Sequence, residues 1–411
     1  MGKTYQVSIV GYERPGESVR KAVELCNGFE ALQSDSRVFI KPNVVFWTTV
    51  TPFPKWGVIT TSRVVEDMVV LLKDWGVSYI TPDAAFEYLG YKTLEKRYGV
   101  KCFNIHDRPF LSVEIDDGIS LKFSKDLMES DFLVSLPVLK THAQTVVSLS
   151  IKNMKGALDM NSRKRCHSPD PVKDLNYMIS RFPRVLPQGL ALLDGIYTTE
   201  RGPGFDGKVR RSNLLIASRD FLSADMVGAN AEDVSRATDL SDIKVIGEQI
   251  QKVASKHQYT FPYTEDGNLP LPMKRLGIKG LSYPKYDLSL CTYCSVLASP
   301  LLTAIALAWK GQPWDDVEVL TGKIMKPTPG KKKTILIGKC IYQANKDNPQ
   351  IQEMIPVKGC PPPVDGIIKA FHKAGIPIDP KLGEETEKWP GLFMKRYEGK
   401  EAFDESFFRI N

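Results

Sequence analysis

Histidine is scarce in this chain, at 5 of 411 residues, and none stands at metal-ligand spacing from another. A histidine-built metal centre is therefore not expected, and His106, His167, His257 and His372 read as ordinary residues. Long apolar runs are missing too. A membrane span needs roughly 18 such residues, and the longest candidate, 296–309, is interrupted by Ser299, Pro300 and Thr303, so no membrane partner is expected. There are no internal repeats, and the one low-complexity tract, Lys331-Lys332-Lys333, reads as a solvated turn. The opening Met-Gly-Lys-Thr-Tyr-Gln-Val runs into a strand pattern without the architecture of a secretory leader, which sets a cytoplasmic location as the expectation. Neither sign of charge dominates. A net charge of +7 suits an acidic partner or an anionic substrate as well as it suits nucleic acid and so decides little; nucleic acid is not the expected partner.

What is present is a soluble globular composition, 42% hydrophobic and 25% charged, in a chain too long for one ordinary core. The seven cysteines are an odd number without a secretory signal, so reduced thiols and metal ligation are expected before disulfides. Apolar runs at 7–10, 37–40, 77–80, 100–105, 132–136, 190–193 and 214–217 read as strands. They alternate with helical patterns over 18–32, 61–75, 91–98 and 145–158, and from about Ser223, while 111–123 reads as a hairpin around Asp116-Asp117-Gly118. Residues 44–54, with Trp47 and two prolines, read as a loop. The alternation argues an α/β domain with a mostly parallel sheet over 1–262. A proline-punctuated connection follows over 263–284, then a smaller α/β domain over 285–379. The aromatic arm over 380–411 is expected to pack on its own body or on a neighbouring subunit, as in a homo-oligomer.

Four cysteines of the second domain share one pattern. Apolar, strand-like runs at 286–290, 334–337 and 354–357 precede Cys291, Cys340 and Cys360, and Cys294 completes a Cys-x-x-Cys with Cys291. Ligand crevices of α/β sheets lie outside the carboxyl ends of the strands, so these thiols are expected at one sheet edge. Four thiolates are the ligand set of a [4Fe–4S] cluster. Zinc, which usually pairs two local Cys-x-x-Cys knuckles, and unliganded thiols are the alternatives. With all four thiolates bound no iron stays open, so such a cluster would transfer electrons and would not act as a Lewis acid.

Leu-Cys291-Thr-Tyr-Cys294-Ser and Lys-Gly-Cys360-Pro-Pro-Pro resemble the proximal-cluster motifs of nickel–iron hydrogenase small subunits and the related quinone-oxidoreductase subunit. That resemblance is local, with Tyr293 in place of the usual glycine, and implies a flavodoxin-like sheet for the second domain. A broader resemblance covers 5–240. Ile-Lys41-Pro-Asn43, Leu-Pro-Val-Leu-Lys140-Thr-His142, Ile-Lys152-Asn153-Met-Lys155-Gly156, Leu-Asp194-Gly195 and Ser223-Ala-Asp225 resemble the domain of unknown function 362 family. Members are commonly described as binding iron–sulfur clusters, many through a ferredoxin-like segment whose closely spaced cysteines this chain lacks.

On their own chemistry, those motifs suggest a cationic site. Lys41 and Lys140 follow buried strands, Lys152 and Lys155 stand three apart on one helical face, and Asn43, Asn153 and His142 add directional groups. Lys140 and His142 are the candidate catalytic pair, since His142 can move a proton near neutral pH. Lys41, Asn43, Lys152, Asn153 and Lys155 are the candidate binders of a small anionic substrate. Surface charge and strand capping are the bland readings of the same residues. Asp194 and Asp225 could orient a lysine, bind metal or cap a helix. Cys26 reads as core, Cys102 as isolated, and Cys166-His167 as part of a mobile basic loop. The whole reads as an iron–sulfur redox protein, served by a ferredoxin-like electron carrier. A non-redox lyase or transferase with a structural cluster, and a module that delivers clusters to other proteins, are the alternatives.

Overall fold

Phe132–Leu136 and Gly189–Glu200 are buried along their whole lengths, the pattern of strands covered on both faces. Around them the computed structural model describes residues 4–45, 57–83, 91–202, 204, 206–233, 239–381 and 388–404. The chain divides into two units. The first is Met1–Ser162, Met178–Thr260 and Pro390–Asn411; the second is Arg163–Tyr177 and Phe261–Trp389.

The strands of the first unit are β1 (Tyr5–Gly11), β2 (Arg37–Pro42), β3 (Tyr79–Pro82), β4 (Phe110–Asp116), β5 (Ile119–Ser124), β6 (Phe132–Leu136), β7 (Val138–His142), β8 (Val146–Val147), β9 (Gly189–Glu200), β10 (Lys208–Ser218) and β11 (Ile243–Gly247). Among the described residues they form a nine-stranded sheet of order β11-β1-β10-β9-β6-β2-β3, with β7 added beside β9 and β8 beside β7, and a separate hairpin of β4 and β5. The sheet is mixed and rich in parallel pairs: β2 with β3 and β6, β6 and β7 with β9, and β1 with β11. The antiparallel pairs are β1 with β10, β10 with β9, and β7 with β8. The helix Ser62–Asp74 buries Val64, Val65, Met68, Val69, Leu71 and Leu72, each worth about 1.5–3 kcal/mol for full burial relative to exposure.

Among the described residues the second unit holds a four-stranded parallel sheet, β12 (Leu281–Ser282), β13 (Val317–Leu320), β14 (Lys333–Ile337) and β15 (Glu353–Val357), in that order. Helices Ala298–Ala308, Lys339–Asn345 and Val364–Lys373 connect or follow its strands. The fold class is α/β throughout. The four strands run in chain order, without the reversal a flavodoxin-like sheet makes after its first strand.

Several local expectations need correction. Residues 286–290 form no strand: Asp287 accepts from the Ser289 amide at 2.6 Å and bends the chain into a turn, and β12 supplies the strand earlier. The helix expected over 145–158 is replaced by β8, a short helix Ser150–Asn153 and a 3-10 turn Met154–Ala157. The run 100–105 contributes only a bridge between Asp83 and Phe103, because Asn104 accepts from the His106 amide at 3.0 Å and starts a 3-10 turn. The first helix ends at Leu25, before Asn27 with φ 52°. Residues 263–284 hold the helix Leu271–Arg275 and β12. Arg163-Lys-Arg-Cys-His is no mobile loop: helix Met160–Cys166 ends there, with Cys166 and His167 buried and His167 Nδ1 2.9 Å from the Leu288 carbonyl. The loop expected at 44–54 lies mostly outside the described residues, as do Phe407 and Phe408 of the arm. The described arm packs on the first unit: Tyr197 donates to the Ala402 carbonyl at 2.7 Å, and Tyr397 Oη accepts from the Val209 amide at 2.7 Å.

Candidate cluster site and a buried lysine network

In the second unit, β14 and β15 end side by side. The Gly338 amide donates to the Val357 carbonyl at 2.9 Å and the Lys339 amide to the Gly359 carbonyl at 2.8 Å. This sets Cys340 beside the turn that carries Cys360. Gly338 has φ 106°, a conformation that favours glycine, and a Cβ there would stand 3.3 Å from Cys294 Sγ. Cys294 belongs to the short helix Thr292–Ser295, which Cys291 caps, and its amide donates to the Cys291 carbonyl at 3.0 Å.

The four thiols lie near enough to act on one another's charge. A hydrogen bond from Cys294 holds Cys291 down to about 5, against the effect of burial. The same bond pushes Cys294 strongly up, aided by burial and by Cys291, Cys340 and Cys360, all close enough to act on its charge. Burial raises Cys340, while Lys323 and Lys339 pull it down. Cys291 is buried, Cys294 half-buried, and Cys340 and Cys360 are exposed. Lys323 is fixed beneath them: its amide donates to Ser289 Oγ at 2.8 Å, and its ammonium to the Lys164 carbonyl at 3.1 Å and to that of His167. Among the described residues no group of three or more His, Cys, Asp or Glu is arranged to hold a metal ion. A [4Fe–4S] cube takes one thiolate on each iron, a wider set than the ligands of one tetrahedral zinc. Four convergent thiols, two of them open to solvent, fit that donor set.

The first unit gathers a different cluster. Lys41, the residue before the last of β2, meets Asp83, just past β3, at 2.9 Å, with both side chains buried. Gly156 makes room for the lysine, since a Cβ there would stand 3.5 Å from Lys41 Nζ. Lys140 in β7 is fully buried and donates to Asn43 Oδ1. Burial holds its amine down to about 7, although Glu232 and Asp194 pull it up. Burial likewise raises Asp194, which accepts from Thr61 N and Oγ1 at 2.7 and 2.6 Å and from the Ile196 amide at 3.1 Å. Thr61 therefore spends its hydroxyl on Asp194 and does not cap the helix it precedes. Glu232 is raised well above the carboxylate range by burial, and neither of its oxygens has a hydrogen-bond partner among the described residues. Asn153 Nδ2 donates to the Lys41 carbonyl at 2.9 Å and to Ser135 Oγ at 3.3 Å.

Lys41, Asn43, Lys140 and Asn153 are thus brought together, but Lys41 is paired with Asp83 and Lys140 is buried against Asn43, its amine held down by burial. His142 is half-buried and accepts from the Gln144 and Thr145 amides at Nδ1, at 3.1 and 3.4 Å, which leaves Nε2 for the proton of the neutral ring. Lys152, half-buried, and Lys155, buried, lie on successive short turns and not on one helix. Asp225 binds the start of that segment, accepting from Ser150 N, Ser150 Oγ and Ile151 N at 2.7, 2.5 and 3.0 Å, and burial pushes it up to about 7. Asp83, Glu232 and Lys323 escape the sequence reading. Asp83 lies just past its strand and falls under the same strand-end rule; Glu232 closes a helix and carries no signal. The thiols of Cys26 and Cys102 are pushed by burial to about 11 and about 12.

Residues 38–230 match the family model described as Domain of unknown function (DUF362). That stretch holds the lysine network apart from Glu232, and none of the four C-terminal cysteines. A thylakoid-associated protein of Synechocystis sp. is 26% identical over 233 residues, covering 54% of this chain and 71% of that protein. Among solved structures, a protein from Thermotoga maritima is 15% identical with a TM-score of 0.31, over 53% of this chain and 59% of that one. The lactate racemase apoprotein from Thermoanaerobacterium thermosaccharolyticum is 11% identical with a TM-score of 0.37, over 92% and 94%. Among the described residues no helix is long and apolar enough to cross a membrane.

Proposed function

We propose that this chain is an iron–sulfur redox protein in which Cys291, Cys294, Cys340 and Cys360 hold one [4Fe–4S] cluster, and that it exchanges single electrons with a ferredoxin-like carrier. The observation that carries this reading is the convergence of four thiols on one sheet edge, where Cys291, Cys340 and Cys360 all act on Cys294. A cluster bound there would supply one-electron chemistry. The chain's own part is to gather and support thiolates. Gly338 leaves room beside Cys294, the amide bonds of Gly338 and Lys339 lock two strand ends together, and Lys323 offsets negative charge at Cys291 and Cys340.

The first unit supplies the acid–base groups of the same reading. Lys140, held down to about 7 by burial, can give or take a proton near neutral pH, and His142, oriented through Nδ1 by two backbone amides, is its candidate partner. Lys152 and Lys155 are the cations assigned to a small anionic substrate; Lys41, engaged with Asp83, positions the Asn153 side chain through its carbonyl.

Reduction is the deciding experiment. Anaerobically purified protein treated with dithionite should bleach and develop the electron paramagnetic resonance signal of a reduced [4Fe–4S] centre. A cluster that stays silent through reduction would favour the non-redox lyase or transferase reading, and one lost to an added apo-acceptor would favour cluster delivery.

A further inference from the structure

The two edges of the four-stranded sheet carry different exposed charges, although one carboxylate, Asp287, also lies at the finishing edge beside Gly322. In a parallel sheet every strand begins at one edge and ends at the other. Asp315 and Asp316 precede β13 and Glu353 opens β15, so these acids stand at the starting edge. Lysines meet them there: Lys332 and Lys333 at 2.7 and 3.7 Å from Asp315, Lys331 at 2.8 Å from Asp316, and Lys373 at 3.5 Å from Glu353. The finishing edge is different. Lys323, Lys339 and Lys358 lie just past β13, β14 and β15. Lys323 is turned onto carbonyls and Lys358 lies 4.3 Å over the Tyr342 ring. Lys339 and Lys358 are exposed beside the exposed Cys340 and Cys360. Asp365 opens the helix after Cys360, where a carboxylate balances the helix's own positive end. Val296 and Ile324, 49% and 42% exposed, follow Cys294 and Lys323 and offer apolar contact within the basic rim.

We propose that this edge is the docking surface for an acidic one-electron carrier protein, received by Lys339 and Lys358 next to Cys340 and Cys360. The proposal rests on the reading that the four cysteines hold a cluster. Redox encounters use small interfaces, and complementary charge there raises the association rate more than the affinity. The transfer itself is balanced: the reduced carrier gives up one electron, the cluster takes one, and no bond forms or breaks. Cations at the point of approach serve this purpose, whereas the acids on the far edge are already paired.

The test is stopped-flow reduction of the cluster by a reduced acidic ferredoxin, for the wild-type chain and for Lys339→Glu with Lys358→Glu. The wild-type rate should fall about tenfold or more between low salt and about 0.5 M. The double variant should be slower by about tenfold at low salt when its rate is normalised to the iron and sulfide it holds, since Lys339 also acts on Cys340. Equal rates for the two proteins, or a wild-type rate indifferent to salt, would overturn the proposal. So would binding to phosphatidylglycerol vesicles that the double variant loses while its rate with ferredoxin stays intact, which would assign the edge to a lipid surface. Wild-type protein without iron would remove the underlying cluster reading, and the iron assay reports this before any carrier is added.

Discussion

Glu232 lies close enough to Lys140 to strengthen the amine's hold on its proton, yet neither oxygen of Glu232 has a hydrogen-bond partner among the described residues. Both side chains are buried. A charged carboxylate without partners is costly in such a place, so burial drives Glu232 toward its protonated form and Lys140 toward its neutral one.

Stability should therefore depend on pH in two opposite ways. Burial moves Lys140 from the ordinary 10.5 down to about 7. Between those values the unfolded chain holds a proton that the folded chain lacks, so this group makes stability rise with pH above about 7. Asp225 moves from 3.8 up to about 7. Across that window the folded chain holds the extra proton, so stability falls as pH climbs toward neutral. Urea unfolding at a series of pH values should show a shallow trough near neutrality. Lys140→Met, which keeps the stem and removes the amine, should abolish the alkaline rise. A variant that keeps the rise would place the responsible group elsewhere.

Asp225→Ala should be among the costly substitutions in the first unit. It strips the acceptor from two amides and a hydroxyl at Ser150 and Ile151, an expected loss of about 3 kcal/mol. Asp225→Asn, which keeps one oxygen, should lose less. Urea midpoints at constant slope measure both, and a shift near zero for the alanine variant would contradict the role given to Asp225.

The sequence makes some of this legible and hides the rest for physical reasons. The run Phe132–Leu136 and the helix Tyr91–Tyr98 follow the expected bounds because local pattern and tertiary environment agree there. Over 145–158 they disagree. Asp225, far along the chain, takes the Ser150 and Ile151 amides and starts a new turn where periodicity alone argues a continuous helix. The rule that ligands gather at strand ends singles out Lys41 and Lys140, but it does not see Glu232, which joins them only in the folded chain. For the cysteines the rule needs only β14 and β15. Cys291 and Cys294 reach the same edge through a turn at Asp287, not through a strand.

Gly338→Ala tests whether the room beside Cys294 matters. The φ of 106° disfavours any side chain, and the added methyl would press on Cys294 Sγ from 3.3 Å. The expected loss is about 1–2 kcal/mol of stability, accompanied by lower iron content at equal folded protein. Full iron content in a stably folded variant would mean that Cys294 does not need that space.

What the four thiols hold decides the function. Iron, acid-labile sulfide and zinc should be measured on protein purified without oxygen, for the wild-type chain and for Cys291, Cys294, Cys340 and Cys360 each replaced by alanine. The account predicts about four irons and about four sulfides per wild-type chain and a marked loss of both in every variant. One zinc per chain without sulfide, or iron that survives Cys340→Ala and Cys360→Ala undiminished, would contradict it.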